Sequence, residues 1–134
     1  MVAGELLNSE ESKREFELML ECYTGIPTPE DVKEINELQR AKVERFLKKY
    51  GWGYGVNINL SPPYRTKPVF KVRKESEADC DALIPPDVDE RKLKELKEAI
   101  EFWNSNSLTE AGRKMLDKIF ELLDELGAIT LNWY

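Results

Sequence analysis

Lys67, Lys71 and Arg73 follow one another at four- and two-residue spacing. In an extended strand successive side chains point to opposite faces, so this spacing collects the three cations on one side. The chemistry open to such a set is anion recognition, in which cations and amides meet phosphates, RNA or an acidic protein surface. A second set, Asp79-Cys80-Asp81 with Asp87-Val88-Asp89-Glu90, gathers oxygen ligands of the kind Mg²⁺ or Ca²⁺ takes. It lacks the glycine and the terminal Glu of an EF-hand, and a solvated acidic loop running into a helix cap accounts for the same residues. A carboxylate-dependent Mg nuclease is the enzyme reading this set allows.

The chain contains no histidine. Ser-His and Cys-His nucleophilic pairs, HExxH zinc sites and His-based proton shuttles are therefore excluded. No catalytic residue, cofactor or metal ligand is assigned. Cys22 and Cys80 lie far apart in the sequence and make no disulfide framework; they read as two thiols.

Charge is distributed unevenly. The total is -6, yet residues 32–74 hold eleven Lys and Arg against three Glu. A chain of 134 residues fits one domain, with residues 75–86, acidic and ending in Pro85-Pro86, as a linker between two halves. No apolar run reaches the length of a membrane span and no signal peptide opens the sequence, so a soluble, cytoplasmic protein is expected.

The elements that must position the cations follow from periodicity. Asn8 or Ser9 caps a first helix whose Phe16, Met19, Leu20 and Tyr23 recur at helical spacing, with Gly25 as its stop. Thr28-Pro29-Glu30-Asp31 opens a long second helix that Gly51 closes. Its Lys42, Arg45 and Lys49 share a face and extend the cationic surface. From Tyr54 to Leu60 the period changes to two, Ser61-Pro62-Pro63 breaks the strand, and a second strand follows with Pro68, Phe70 and Val72 opposite Lys67, Val69, Lys71 and Arg73. The glycines of Gly51-Trp52-Gly53-Tyr54-Gly55 run from a helix into a strand, the reverse of a phosphate loop, and serve as helix stop and tight entry.

Asp87 or Asp89 caps a third helix carrying Leu93, Leu96, Ile100 and Trp103, and Asn104-Ser105-Asn106-Ser107 ends it. Thr109 caps a fourth, and Ile129, Leu131 and Trp133 alternate with Thr130, Asn132 and Tyr134 in a final strand. The expected class is α+β in the order ααββααβ, a three-stranded antiparallel or mixed sheet with helices on one face. Its open face would display Asn57, Asn59, Lys67, Lys71, Arg73, Thr130, Asn132 and Tyr134, with Trp52, Tyr64 and Tyr134 as stacking rings.

Leu108-Thr109-Glu110-Ala111-Gly112-Arg113 resembles the passage into a long helix in winged-helix transcription regulators of the MarR family, which carry a similar Leu-Thr-x-x-Gly-Arg stretch. The resemblance covers six residues. That family has a β wing where this chain has an amphipathic helix and an Asn/Ser turn, so no functional residue is carried over.

These features point to a small non-enzymatic protein that binds a protein partner as inhibitor, adaptor or accessory subunit, of the kind phages and mobile elements use against host machinery. It would act through the cationic face or through the terminal strand, residues 128–134, whose edge also offers self-association. RNA or single-stranded DNA binding by the same platform is the alternative.

Overall fold

The computed structural model describes residues 6–59 and 66–134. Among them are α1 (Ser9–Thr24), α2 (Pro29–Tyr50), β1 (Tyr54–Val56), β2 (Phe70–Lys71), a 3-10 turn (Glu75–Glu77), β3 (Ala82–Ile84), α3 (Glu90–Asn106), α4 (Glu110–Glu125) and β4 (Ile129–Thr130). The class is α+β. Leu60, Ser61-Pro62-Pro63 and Tyr64, expected to end the first strand and to offer a stacking ring, lie outside the described residues.

Each helix begins at the residue whose side chain can satisfy its unpaired N–H groups. Asn8 and Glu11 form a reciprocal capping box on α1, and Thr28 and Asp31 form another on α2, where Pro29 takes the first helical position. Asp89 caps α3 and Thr109 caps α4. α3 runs through Asn104 and Ser105, which were expected to break it.

By packing, the chain forms two compact units, one built from the chain up to Gly51 together with Thr130–Tyr134, the other from Trp52–Ile129. In the first unit α1 lies against α2. Leu18, Cys22 and Ile35 are buried between them, but so are Gln39 and Lys42. The inward side of α1 is Glu11, Glu15, Leu18 and Cys22, and the matching side of α2 is Ile35, Gln39, Lys42 and Arg45. Glu15 accepts from Lys42 Nζ and from Gln39 Nε2, each at 2.6 Å. Glu11 holds Arg45 through two bonds, 2.7 and 3.0 Å.

This seam corrects two expectations. The face of α1 turned inward is not the Phe16–Tyr23 stripe: Phe16 and Tyr23 are each 61% exposed. The apolar periodicity misleads because charged side chains, paired across the seam, occupy positions that hydrophobic ones usually fill. For the same reason Lys42 and Arg45 add nothing to a cationic surface, being engaged by Glu15 and Glu11.

The terminal segment completes this unit through its main chain. Asn36, Gln39 and Lys42, three residues apart on α2, meet every second residue of the segment. Tyr134 N–H donates to Asn36 Oδ1 at 2.9 Å, Asn132 N–H donates to Gln39 Oε1 at 2.8 Å, and Thr130 O accepts from Lys42 Nζ at 3.3 Å. Side chains of a helix thus take the place a neighbouring strand would hold.

The second unit holds β1, β2 and β3, with β1 paired antiparallel to both of the others, and the sheet order is β2-β1-β3-β4. The sheet therefore has four strands rather than three. The additional one, β3, lies within residues 75–86, the stretch expected to be a linker, and Ala82, Leu83 and Ile84 are all buried. Val56, Val69, Ala82 and Ile84 face the core formed with Leu96, Ile100, Trp103, Ile119 and Leu122 of α3 and α4. The α3–α4 corner is closed by Thr109, whose hydroxyl donates to Asn106 O at 2.7 Å and accepts from Gly112 N–H at 3.0 Å. This helix-to-helix corner is what the Leu108–Arg113 stretch builds.

Candidate binding site

The site grows out of a slip in the pairing of β1 with β2. Tyr54 lies opposite Lys71 and Gly55 opposite Phe70, and Val72 N–H donates to Gly53 O at 2.9 Å. Continuing that register places Pro68 opposite Asn57. Proline has no N–H to give, and Lys67 N–H donates to Asn57 O instead, at 3.0 Å. Two residues then stand opposite one, as in a β-bulge, and the side-chain alternation shifts at that point.

The slip redistributes the side chains. Val69, expected among the cations, is buried against the core with Val56. Lys67 joins Asn57 and Phe70 on the other side, and Phe70 is half-buried rather than packed inward. Beyond β2 the chain turns back through Glu75–Glu77, fixed by Arg73 N–H donating to Glu77 Oε2 at 3.0 Å. The result is an open hollow of about 540 Å³ lined by Asn57, Lys67, Phe70, Lys71, Arg73, Ser76, Glu77 and Asp79.

Four of the eight residues marked by the sequence therefore meet at one opening: Asn57, Lys67, Lys71 and Arg73. The other four do not line it. Asn59 N–H donates to Thr66 Oγ1 at 3.4 Å, next to Thr66 main-chain groups that Asn104 clamps from both sides at 2.7 and 2.5 Å. Thr130, Asn132 and Tyr134 belong to the first unit. Nor is the side of the sheet away from α3 and α4 a flat polar platform. Leu83, Val72 and Cys80 are buried, and a Cβ on Gly55 would come within 2.5 Å of Cys80 Sγ and 2.9 Å of Val72 Cγ2.

The lining residues the sequence did not mark are Phe70, Ser76 and Glu77, and Asp79 was marked only within the acidic set, not for this opening. Pro68 within a strand was the available signal, since a proline there implies an edge or a bulge.

The electrostatics under the hollow are acidic. Burial first, then the charges of Asp81, Asp79 and Glu77, push the Cys80 thiol up to about 11, with Lys67 opposing. At neutral pH it is a protonated, inert thiol. Asp81 is half-buried, its carboxylate accepting Ile58 N–H at 2.7 Å. Desolvation raises its pKa, and the Ile58 bond offsets this in part. A carboxyl group whose folded pKa is raised favours folding at low pH and loses that contribution as pH climbs through the raised value.

Asp81→Asn keeps an acceptor for Ile58 and removes the charge. The variant is expected to be more stable at pH 7 by under about 1 kcal/mol, given the partial exposure. The gain should vanish below the wild-type titration. Urea midpoints at pH 7 and at about pH 3, below the ordinary Asp value, check this, and a loss of stability at pH 7 would contradict it.

Among the described residues no three carboxyl or thiol groups gather where a metal ion could be held, and no helix is long and apolar enough to cross a membrane. Fold and site define a small α+β protein with a cationic hollow at the edge of its sheet. Comparison with protein-family models, curated proteins and solved structures finds no match for this chain.

Proposed function

We propose that this is a non-enzymatic macromolecule-binding protein, an inhibitor, adaptor or accessory subunit, that takes an acidic segment of a protein partner at the β2 hollow. The reading rests on the convergence of Lys67, Lys71 and Arg73 with Asn57 and Phe70 at one opening in a chain of net charge -6. Three cations against Glu77 and Asp79 leave the lining positive, and Glu77 is already engaged on the Arg73 main chain. Phe70 supplies an apolar floor beside them, so an acidic segment with one large apolar side chain matches the lining.

The terminal strand carries less of this reading than the hollow, because main-chain groups of Thr130, Asn132 and Tyr134 are taken by α2 side chains. At the other end of the sheet, Pro68, the bulge and the two-residue length of β2 are devices that discourage strand addition. Recognition through side chains is favoured over recognition through an added strand.

The test is retention of a partner from a lysate of the source by the wild type and by Lys71→Glu/Arg73→Glu. Both side chains are exposed, so the fold should survive. Retention is expected to fall by about tenfold or more, and unchanged retention would sink the reading.

A second reading, single-stranded RNA or DNA, draws on Phe70, a ring placed among cations where a base could stack. Salt separates the two, since phosphate binding weakens steeply as counterions compete.

A further inference from the structure

The first unit carries a surface of the opposite kind. Phe16, Leu20 and Tyr23 are 61%, 48% and 61% exposed on α1, Ile26 after the helix is 99% exposed, and Tyr134 is 51% exposed. The Tyr23 and Tyr134 rings meet edge to face, centroids 6.1 Å apart, which extends the stripe from α1 onto the terminal segment. At 3.6 residues per turn, Phe16, Leu20 and Tyr23 fall within about 60° of one another around α1. Isolated exposed apolar residues need no explanation, but a contiguous stripe of large ones marks an interaction site.

What covers the stripe is indicated by its flank. Glu10, Glu17 and Glu21 follow at seven- and four-residue spacing, displaced about 100° from the middle of the stripe. Behind them Arg14 is shared. Its guanidinium bonds Glu34 at 2.5 and 2.9 Å, reaches Glu17 at 3.4 Å and lies 4.0 Å from Asp31. The neighbouring Asp31 carboxyl pushes the Glu21 carboxyl up, while Glu21, with the Thr28 bonds and Arg14, holds Asp31 down. Four carboxylates thus gather around one arginine, leaving this edge short of positive charge, although Lys13 borders the N-terminal end of the stripe.

No three of these groups converge as metal ligands, so the missing cations are better supplied by Lys or Arg side chains of a partner. A second copy of this chain would bring the same acidic flank and the same net charge of -6.

We infer that the Phe16–Leu20–Tyr23 stripe and its acidic flank form a second docking surface, whose occupant is a basic amphipathic helix of a partner protein. Its leucine-type residues cover the stripe and its Lys or Arg residues reach Glu17, Glu21 and Asp31. The protein then offers two surfaces of opposite charge on two separate units, as an adaptor requires.

The test uses the intact chain and a fluorescein-labelled helical peptide of Leu and Lys, with a Leu and Glu peptide of the same pattern as control, read by anisotropy. The Leu/Lys peptide is expected to bind and the control not. Phe16→Ser/Tyr23→Ser should weaken binding by about tenfold or more, while Lys71→Glu/Arg73→Glu leaves it unchanged, so the two surfaces can fail independently. Both substituted side chains in the stripe are exposed, and circular dichroism verifies their fold. Absent binding, equal binding by the stripe variant, or equal binding of the control peptide would overturn the inference. So would a wild-type dimer in sedimentation that the stripe variant abolishes, because a second copy would then be the occupant.

Discussion

Lys42→Ala is expected to destabilise the first unit by about 3–5 kcal/mol, the range for removing one partner of a buried ion pair. The Lys42 side chain is 4% exposed and that of its partner Glu15 is 13% exposed. Lys42 also supplies the donor for Thr130 O. Truncation leaves the largely buried Glu15 carboxylate with Gln39 as a donor, opens a void where the lysine stem lay, and frees an anchor of the terminal segment. The loss should appear as a lowered urea midpoint followed by circular dichroism.

The double variant Lys42→Met/Glu15→Leu separates causes. It removes both charges together, and most of the stability should return, since a paired burial can be replaced by apolar packing with little net loss. A Lys42→Ala midpoint within about 0.5 kcal/mol of wild type would contradict the seam described here.

Gly53→Ala is expected to cost the second unit about 3 kcal/mol, the upper part of the range for forcing extra volume into a packed site. A Cβ at residue 53 would stand 2.0 Å from Ile84 O and 3.0 Å from both Pro85 C and Pro86 N, all main-chain atoms. A side chain could rotate away from such a clash; a main chain has to shift. Gly53 O also receives Val72 N–H, so any shift that relieves Ile84 disturbs the start of the β1–β2 pairing as well. The hollow lies along that pairing, and partner binding should weaken together with the thermal midpoint. Unchanged stability would mean that β3 does not approach Gly53 as described.

Much of the frame was legible in the sequence because local chemistry decides it. Asn8, Thr28, Asp89 and Thr109 cap helices in any context that allows one, and Gly25 and Gly51 end α1 and α2. Lys67, Lys71 and Arg73 were marked by their charge in an acidic chain, and they meet at one opening.

What escaped sequence reasoning depends on partners distant in the chain. Ala82-Leu83-Ile84 is too short for alternation to reveal, and the acids and prolines around it suggest a loop; pairing with β1 makes it a strand. Thr130, Asn132 and Tyr134 alternate as a strand face should, but Asn36, Gln39 and Lys42 on α2 claim their main chain. Gln39, the only glutamine in the chain, stands four residues after Ile35 and four before Val43. A lone amide at an apolar spacing was a trace of the buried network, though its partners Glu15 and Asn132 lie 24 and 93 residues away. The inward face of α1 was hidden for the same reason, since Glu11 and Glu15 read as solvent-facing until Arg45 and Lys42 are brought to them.

The hollow formed by Asn57, Lys67, Phe70, Lys71 and Arg73 is proposed as the docking site for an acidic partner protein. The most direct measurement is the lysate retention experiment run at low and at moderate salt, wild type beside Lys71→Glu/Arg73→Glu, with the retained material identified as protein or nucleic acid. One protein complex held by the wild type at both salts and lost in the reversal is the predicted result. Material held equally by both chains, or nucleic acid held by the wild type at low salt alone, would contradict it.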